Sequence, residues 1–417
     1  MKIVIVSTFS LSTNYSRDLG VAVRKVASSD DCVILCGKKD DVPADNEPPK
    51  INNVWTPGWL FFFQILFFSL KERPAVIHFQ QEFRLYGNII SNILFPWLIL
   101  LLRISGIKTI VTIHAVISYE TVSSVFLQSF FLPQNSFTKR IAFLYLFYTY
   151  FLCGMFANSV IVLTPVLKEL LIKDYRLPEG KINVIRIGIP EIKNKESKTV
   201  KTNIIKRFPL IKGKKIILVF GYFSPRKGFP LLVKAFAKVL SNNKEAKDWV
   251  LVLAGNVKKE FIPYKQTIER LIKKTGCNKN IVITNYLDTE EIDDFYRLST
   301  IGVIPGVYSI ATSGALSLGL AYLKPLLAID LKPISEDVQG TNLGLLYNPF
   351  NPNSFAQKLK IIMNDKKIYK NLYQSMKREA PNRYWTKIGM DHYQLYRKIL
   401  DKEIAAKSTK QILISKP

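Results

Sequence analysis

A lysine in a short polar loop between a strand and a helix is the residue of this chain best placed to do chemistry. Residues 215–220 form an apolar-rich run that reads as a buried strand. Gly221 ends it, and Ser224, Pro225, Arg226, Lys227 and Gly228 make a polar turn. Leu231, Leu232, Ala235 and Phe236 then recur at helical spacing. Such a loop turns backbone N–H groups and an ammonium toward one point, where a diphosphate could sit. Lys227 supplies the charge, with Arg226 beside it.

Later segments repeat the arrangement. Residues 251–256 are a strand ending in Gly255 and Asn256, and residues 281–287 run to Leu287 ahead of an acidic amphipathic helix at 289–298. A further strand ends at Pro305. Thr312, Ser313, Gly314 and Ala315 then open a helix that runs to Tyr322. Thr312 and Ser313 are good N-cap residues, and Gly314 lets a ligand approach the backbone. A helix start with free N–H groups is an anion site. In the N-terminal half, His114 closes the run 109–113, and Glu82 lies in a loop after the run 76–79. Glu82 could take a proton from a hydroxyl, or be a plain surface carboxylate. His392 and Cys153 read as structural.

The elements that must position these residues are short β-rich runs alternating with helical segments. They fall at 3–6, 31–35, 76–79, 109–113 and 160–163, then at 215–220, 249–254, 280–284, 301–304 and 326–329. That alternation predicts an α/β layer fold with parallel sheets, in which ligands bind beyond the carboxyl ends of the strands. At 417 residues the chain is too long for one ordinary core and suits two domains. Between the halves, residues 191–215 hold nine basic and two acidic residues with little periodicity, which predicts a solvated linker. The expected division is 1–190, an acceptor-binding domain; 191–214, a basic linker; 215–380, a donor-binding domain; 381–404, a helix returning to the first domain; and 405–417, a basic tail.

Composition narrows the partners. With 59 Lys and Arg against 32 Asp and Glu, a formal charge of +27 predicts affinity for anionic surfaces. The cations are spread along the chain rather than interleaved with aromatics in one motif, so no nucleic-acid partner is expected. Cys32, Cys36, Cys153 and Cys277 lack the spacing of a zinc site and read as small core residues in a reduced, cytoplasmic compartment. The first apolar run is too short for a signal peptide and reads as a strand.

Three uncharged stretches, 59–70, 85–102 and 141–157, are bordered by cations: Lys71 and Arg73, Arg84 and Arg103, Lys139 and Arg140. They are shorter than a span or interrupted by Asn92, Pro96 or Gly154, and no transmembrane helix is predicted. Helices lying in a membrane interface are shorter and favour aromatics flanked by Lys and Arg. Residues 59–70, with five Phe and one Trp, are expected to meet lipid. Residues 85–102 suit either lipid or a buried position against the sheet.

Taken in order, these segments resemble the family-4 (group 1) glycosyltransferases of the GT-B fold over nearly the whole chain. The likeness rests on the first strand, the Gly20 loop and helix, residues 77–83, 111–114, 162–164 and 184–189, the Lys227 loop, Gly255, Ser313 and Gly314, Lys324 and Pro325, and a closing helix with Trp385 and Tyr396. It implies two Rossmann-like, doubly wound parallel-sheet domains facing a cleft. It further implies a retaining transfer of a sugar from a UDP- or GDP-linked donor to a lipid-linked or glycan acceptor, at the inner face of the cell membrane. Lys227 would neutralise the donor diphosphate, helped by the N–H groups of Gly314 and Ala315. Gly221, Arg226, Gly255, Asn256, Leu287, Thr312 and Ser313 would line the donor site. His114 would contact the donor sugar, and neither a metal nor another cofactor is implied.

Two departures stand out. Aligned through Lys324 and Pro325, the positions of the family's paired glutamates hold Ile310 and Leu318. The family's arginine ahead of the lysine is replaced by Tyr222 or Ser224. These losses motivate the alternative of a non-catalytic GT-B protein that binds a glycan or partners an active transferase.

Overall fold

The computed structural model describes residues 1–8, 15–27, 31–40, 49–83, 85–122, 127, 132–192, 198–242 and 244–414. Two compact units emerge: residues 1–127, 132–188 and those from Arg383 onward make up the first, and 189–382 the second.

The first unit contains β1 (Lys2–Val6), α1 (Tyr15–Val26), β2 (Asp31–Gly37), β3 (Lys50–Trp55), α2 (Leu60–Glu72), β4 (Val76–Gln81), α3 (Ile89–Ile104), β5 (Lys108–Ile113), α4 (Ser136–Phe156), β6 (Ser159–Val162), α5 (Pro165–Lys173) and β7 (Ile182–Val184). The second contains α6 (Lys198–Arg207), β8 (Lys215–Phe220), α7 (Phe229–Asn242), β9 (Trp249–Ala254), α8 (Ile262–Lys274), β10 (Ile281–Ile283), α9 (Thr289–Leu298), β11 (Ser299–Ile304), α10 (Gly314–Ala321), β12 (Leu326–Ile329), α11 (Ile334–Gly340), β13 (Gly344–Tyr347), α12 (Pro352–Asn364) and α13 (Lys366–Arg383). The last helix, α14 (Trp385–Ile414), belongs to the first unit.

Both sheets are parallel throughout, as the apolar runs predict. Their orders are β3-β2-β1-β4-β5-β6-β7 and β10-β9-β8-β11-β12-β13. In each, strand order reverses once, between β1 and β4 and between β8 and β11. Ligands bind at such switch points in doubly wound sheets. The central strands are buried on both faces, so β1 and β9 are apolar without alternation, while β4 buries His78, Gln80 and Gln81 among its apolar residues.

On one face of the first sheet, Ile3, Ile5, Ile34 and Ile110 pack with Tyr15, Leu19 and Val23 of α1 and with Ile388, Leu395 and Tyr396 of α14. On the other, the Phe79 ring of β4 meets Phe95 of α3 edge-on at 5.4 Å. There α3 packs between α2 and α4.

The uncharged stretches become these three helices, each with a buried and an exposed side. Along 59–70, Phe61, Phe62 and Ile65 are buried while Trp59, Phe63 and Phe67 are exposed, Phe67 by 66%. Residues 85–102 divide likewise: Phe95, Leu98, Ile99 and Leu102 face inward, and Ile90, Ile93, Trp97 and Leu101 outward. Pro96 lies inside α3 and does not end it. No described helix is long and apolar enough to cross a membrane. Arg84, one of the flanking cations, lies outside the described residues.

Three expectations are corrected. The run 191–214, read as a solvated linker, contains α6, and Ile204 and Ile211 enter the apolar core of the second unit beside Leu218 and Phe295. Lys206, Arg207 and Lys212 lie on the exposed side of this amphipathic segment; residues 193–197 lie outside the described residues. Gly20 is not in a loop but inside α1, where an added Cβ would lie 2.8 Å from Pro49 and 2.9 Å from Ile34. The closing helix, expected to stop at 404, continues through the tail to Ile414, with 415–417 outside the described residues.

Candidate functional site

In the second unit the strand-end glycines set the geometry. Gly221 and Gly255 follow adjacent strands β8 and β9 and both adopt left-handed φ, +140° and +143°. A Cβ on Gly255 would stand 2.2 Å from the Gly221 carbonyl oxygen, so only glycine fits. A Cβ on Gly221 would stand 3.2 Å from Lys227 Nζ: the lysine folds back over the bare backbone of the strand end. The loop is a single tight turn, Pro225–Lys227, closed by Gly228 at φ +61°. The Phe223 N–H donates to Asn256 O at 2.9 Å, and the Val307 N–H, just past β11, donates to Arg226 O at 2.9 Å. The Lys227 loop is thereby tied to the strand ends on either side of the switch point.

Among the described residues, Lys227 Nζ has neither a hydrogen bond nor an ion pair. Burial, with the neighbouring Arg226 charge second, brings its pKa down to about 7. An ammonium held this way gains more from an anion than an exposed lysine does.

Ser313 is the N-cap of α10, its Oγ accepting from the Leu316 N–H at 3.4 Å. Thr312 precedes the cap and makes no such bond. The N–H groups of Gly314 and Ala315 have no acceptor among the described residues, and nothing lies within 4 Å of the Cβ position of Gly314. Asn256 is exposed, its Oδ1 accepting from the Val257 N–H at 2.8 Å. Leu287 is corrected as a lining side chain: it is buried in the core with Val252 and Phe295, leaving only its backbone to meet a ligand. Leu318 packs against the same core and Ile310 is half-buried. Lys324 serves structure: its Nζ donates to Arg297 O at 2.9 Å near the end of α9.

Thr284, passed over in the sequence, holds the Gly255 turn. Its Oγ1 accepts from the Gly255 N–H at 3.3 Å and donates to Asn285 O at 3.0 Å. The only signal was a threonine ending an apolar run.

In the first unit, His114 follows β5, and its N–H donates to Gln81 O at 3.2 Å. Its Nε2 lies 2.8 Å from Gln80 Oε1, and its ring meets Tyr15 edge-on at 4.9 Å. Burial holds the imidazole down to about 4, neutral at physiological pH. Glu82 is exposed just past β4, as a surface carboxylate or a solvent-facing base would be. Gln80 and the buried His78 behind it also escaped sequence reading, because their partners are distant in the chain.

Residues 200–383 match the family model of the group 1 glycosyl transferases. An uncharacterized glycosyltransferase of Methanocaldococcus jannaschii is 24% identical over 242 residues, 57% of this chain and 60% of that protein. The chain spans less than two thirds of the length of the curated relatives it matches. Among solved structures, a glycosyltransferase of Rickettsia africae superposes with a TM-score of 0.71 at 16% identity, over 96% of this chain and 98% of that one. Anabaena HepE, solved in complex with UDP, gives 0.73 at 13% identity, over 95% and 100%. Residues 200–383 thus resemble the group 1 glycosyl transferases, and the chain has the fold of the GT-B glycosyltransferases.

Proposed function

We propose that this protein moves a sugar, with retention, from a nucleotide-sugar donor to a lipid-linked or glycan acceptor at the inner face of the cell membrane. The observation that carries the reading is Lys227, an unpaired ammonium laid over Gly221 at the switch point of the second sheet. The bond from the sugar C1 to the donor phosphate breaks, and a bond from C1 to the acceptor hydroxyl oxygen forms. Lys227 and the Gly314 and Ala315 N–H groups take up the charge on the departing diphosphate, without a metal or other cofactor. Glu82 receives the acceptor proton, and His114 contacts the donor sugar. HepE, solved with UDP, supports a uridine nucleotide as the first donor to test. Membrane association rests on the exposed Trp59 at the cap of α2, on Phe63 and Phe67 of α2 and on the outward residues of α3, with Lys71, Arg73 and Arg140 exposed as well.

Thermal unfolding of wild type and Lys227→Ala against UDP, GDP, ADP and their sugar conjugates tests the donor site. A ligand at about 100 times its dissociation constant adds roughly 2.7 kcal/mol. Stabilisation of wild type alone supports the reading, and none by any nucleotide refutes it. Binding without turnover on any acceptor favours the second reading, a non-catalytic GT-B protein, which Ile310 and Leu318 motivate. Sedimentation with anionic vesicles, lost in a Trp59, Phe63 and Phe67 to Ser triple variant, tests the membrane face.

A further inference from the structure

All three histidines of the chain cluster in the first unit, His78 and His392 fully buried and His114 half-buried, and His78 and His114 are joined by a glutamine. His78 and Gln80 of β4 share a sheet face with Thr112 and His114, β5 being paired so that Gln80 faces Thr112. His114 Nε2 is 2.8 Å from Gln80 Oε1, and Gln80 Nε2 is 3.3 Å from His78 Nε2. His78 Nε2 also meets Thr112 Oγ1 at 2.7 Å, and its Nδ1 meets Tyr396 Oη of α14 at 2.7 Å. His78, Thr112 and Tyr396 are fully buried.

An amide has fixed polarity, its oxygen accepting and its nitrogen donating. With Oε1 toward His114, the proton of His114 sits on Nε2. With Nε2 toward His78, the lone pair of His78 sits on its own Nε2 and its proton on Nδ1, donated to Tyr396 Oη. Turning the amide over reverses both histidines together. The hydroxyls of Thr112 and Tyr396 can each donate or accept, so both follow the amide, and Tyr396 Oη accepts the His78 proton when Oε1 faces His114.

We propose that Tyr396, His78 and Gln80 are positioning residues that fix His114 as the Nε2–H tautomer. Its Nδ1 is thereby a bare acceptor for a hydroxyl of the donor sugar. The role of the tautomer in transfer rests on the function proposed above; the tautomer itself does not. The titratable groups around His114 are Tyr15 of α1, His78 of β4, and, behind His78, His392 and Tyr396 of α14. Burial alone shifts its titration.

Nitrogen-15 NMR of the full chain, histidine-labelled and without ligand, reads the tautomer directly. The wild type is expected to show His114 protonated at Nε2; an Nδ1–H signal overturns the proposal. Tyr396→Phe keeps the ring but removes the acceptor of the His78 proton, and a rise in the Nδ1–H form of His114 is expected. An unchanged His114 in that variant overturns the relay. Gln80→Glu puts a carboxylate beside Nε2 and converts His114 to imidazolium, which has no acceptor. Transfer at pH 7 is expected to fall at least tenfold and to recover as pH rises toward 9, whereas Gln80→Met loses activity without that recovery. Equal losses with identical pH profiles mean a merely structural glutamine. Absence of nucleotide binding and transfer in wild type, with the tautomer as expected, refutes the function and leaves the relay standing.

Discussion

The depressed ammonium of Lys227 makes nucleotide binding a proton-linked event. Its pKa is about 7 in the free protein against an ordinary 10.5, and a diphosphate placed beside it raises it again. The ammonium is fully present below pH 7 and is lost as pH rises through 7, so affinity should fall in that direction. The dissociation constant grows as 1 + 10^(pH − 7). From pH 6 to pH 8 that is a factor of about ten, or about 1.4 kcal/mol. Ionisation of a terminal phosphate near pH 6 acts with the opposite sign, so the clean window is pH 7 to 9. Isothermal titration with UDP in two buffers of different ionisation enthalpy measures both quantities. At pH 8 roughly nine-tenths of a proton should be taken up per nucleotide bound. Lys227→Ala should bind weakly, with no slope and no uptake. Arg226→Ala removes the second cause of the shift and should move the inflection to higher pH. A wild-type affinity flat between pH 7 and 9, or a slope surviving in Lys227→Ala, refutes the reasoning.

Three further outcomes follow from the same structure. Gly255→Ala drives a methyl into the Gly221 carbonyl at left-handed φ, and should destabilise the protein by about 2 kcal/mol or more in denaturant unfolding. Lys324→Met loses the bond to Arg297 O and should cost about 1 kcal/mol of stability while nucleotide affinity stays unchanged, as befits a structural lysine. His392, fully buried and held down to about 4, binds a proton in the unfolded chain before it does in the fold. Its contribution is present above pH 6.5 and lost as pH falls toward 4, up to about 3 kcal/mol, and His392→Gln should flatten unfolding free energy over that window.

What the sequence made legible follows burial. The strands at 215–220, 249–254 and 326–329 coincide with β8, β9 and β12, which are central or flanked on both sides. The three strands that escaped reading, β3, β7 and β13, are all sheet edges. An edge strand is half solvated and short, so Lys50–Trp55 carries Asn52 and Asn53 and shows no apolar run. In the basic stretch at 191–214 the surrounding charge masks a sparse apolar face, Ile204 and Ile211 being the residues that enter the core. At the site, the Lys227 loop was legible because its parts are contiguous. Gln80 and Thr284 were not, since each acts through a partner at least 29 residues away.

The first unit is interrupted: the chain leaves it at Gly188 and re-enters at Arg383, after the whole second unit. Its core includes Ile388, Leu395 and Tyr396. During synthesis the strands of the first unit emerge before those of the second, but the second unit is complete before α14, the last piece of the first, leaves the ribosome. The half that is encoded first is therefore the half completed last. Until α14 is made, the apolar side of α1 and the buried imidazole of His78 stand open to water, so a stall or frameshift within α14 injures the first sheet rather than the second unit.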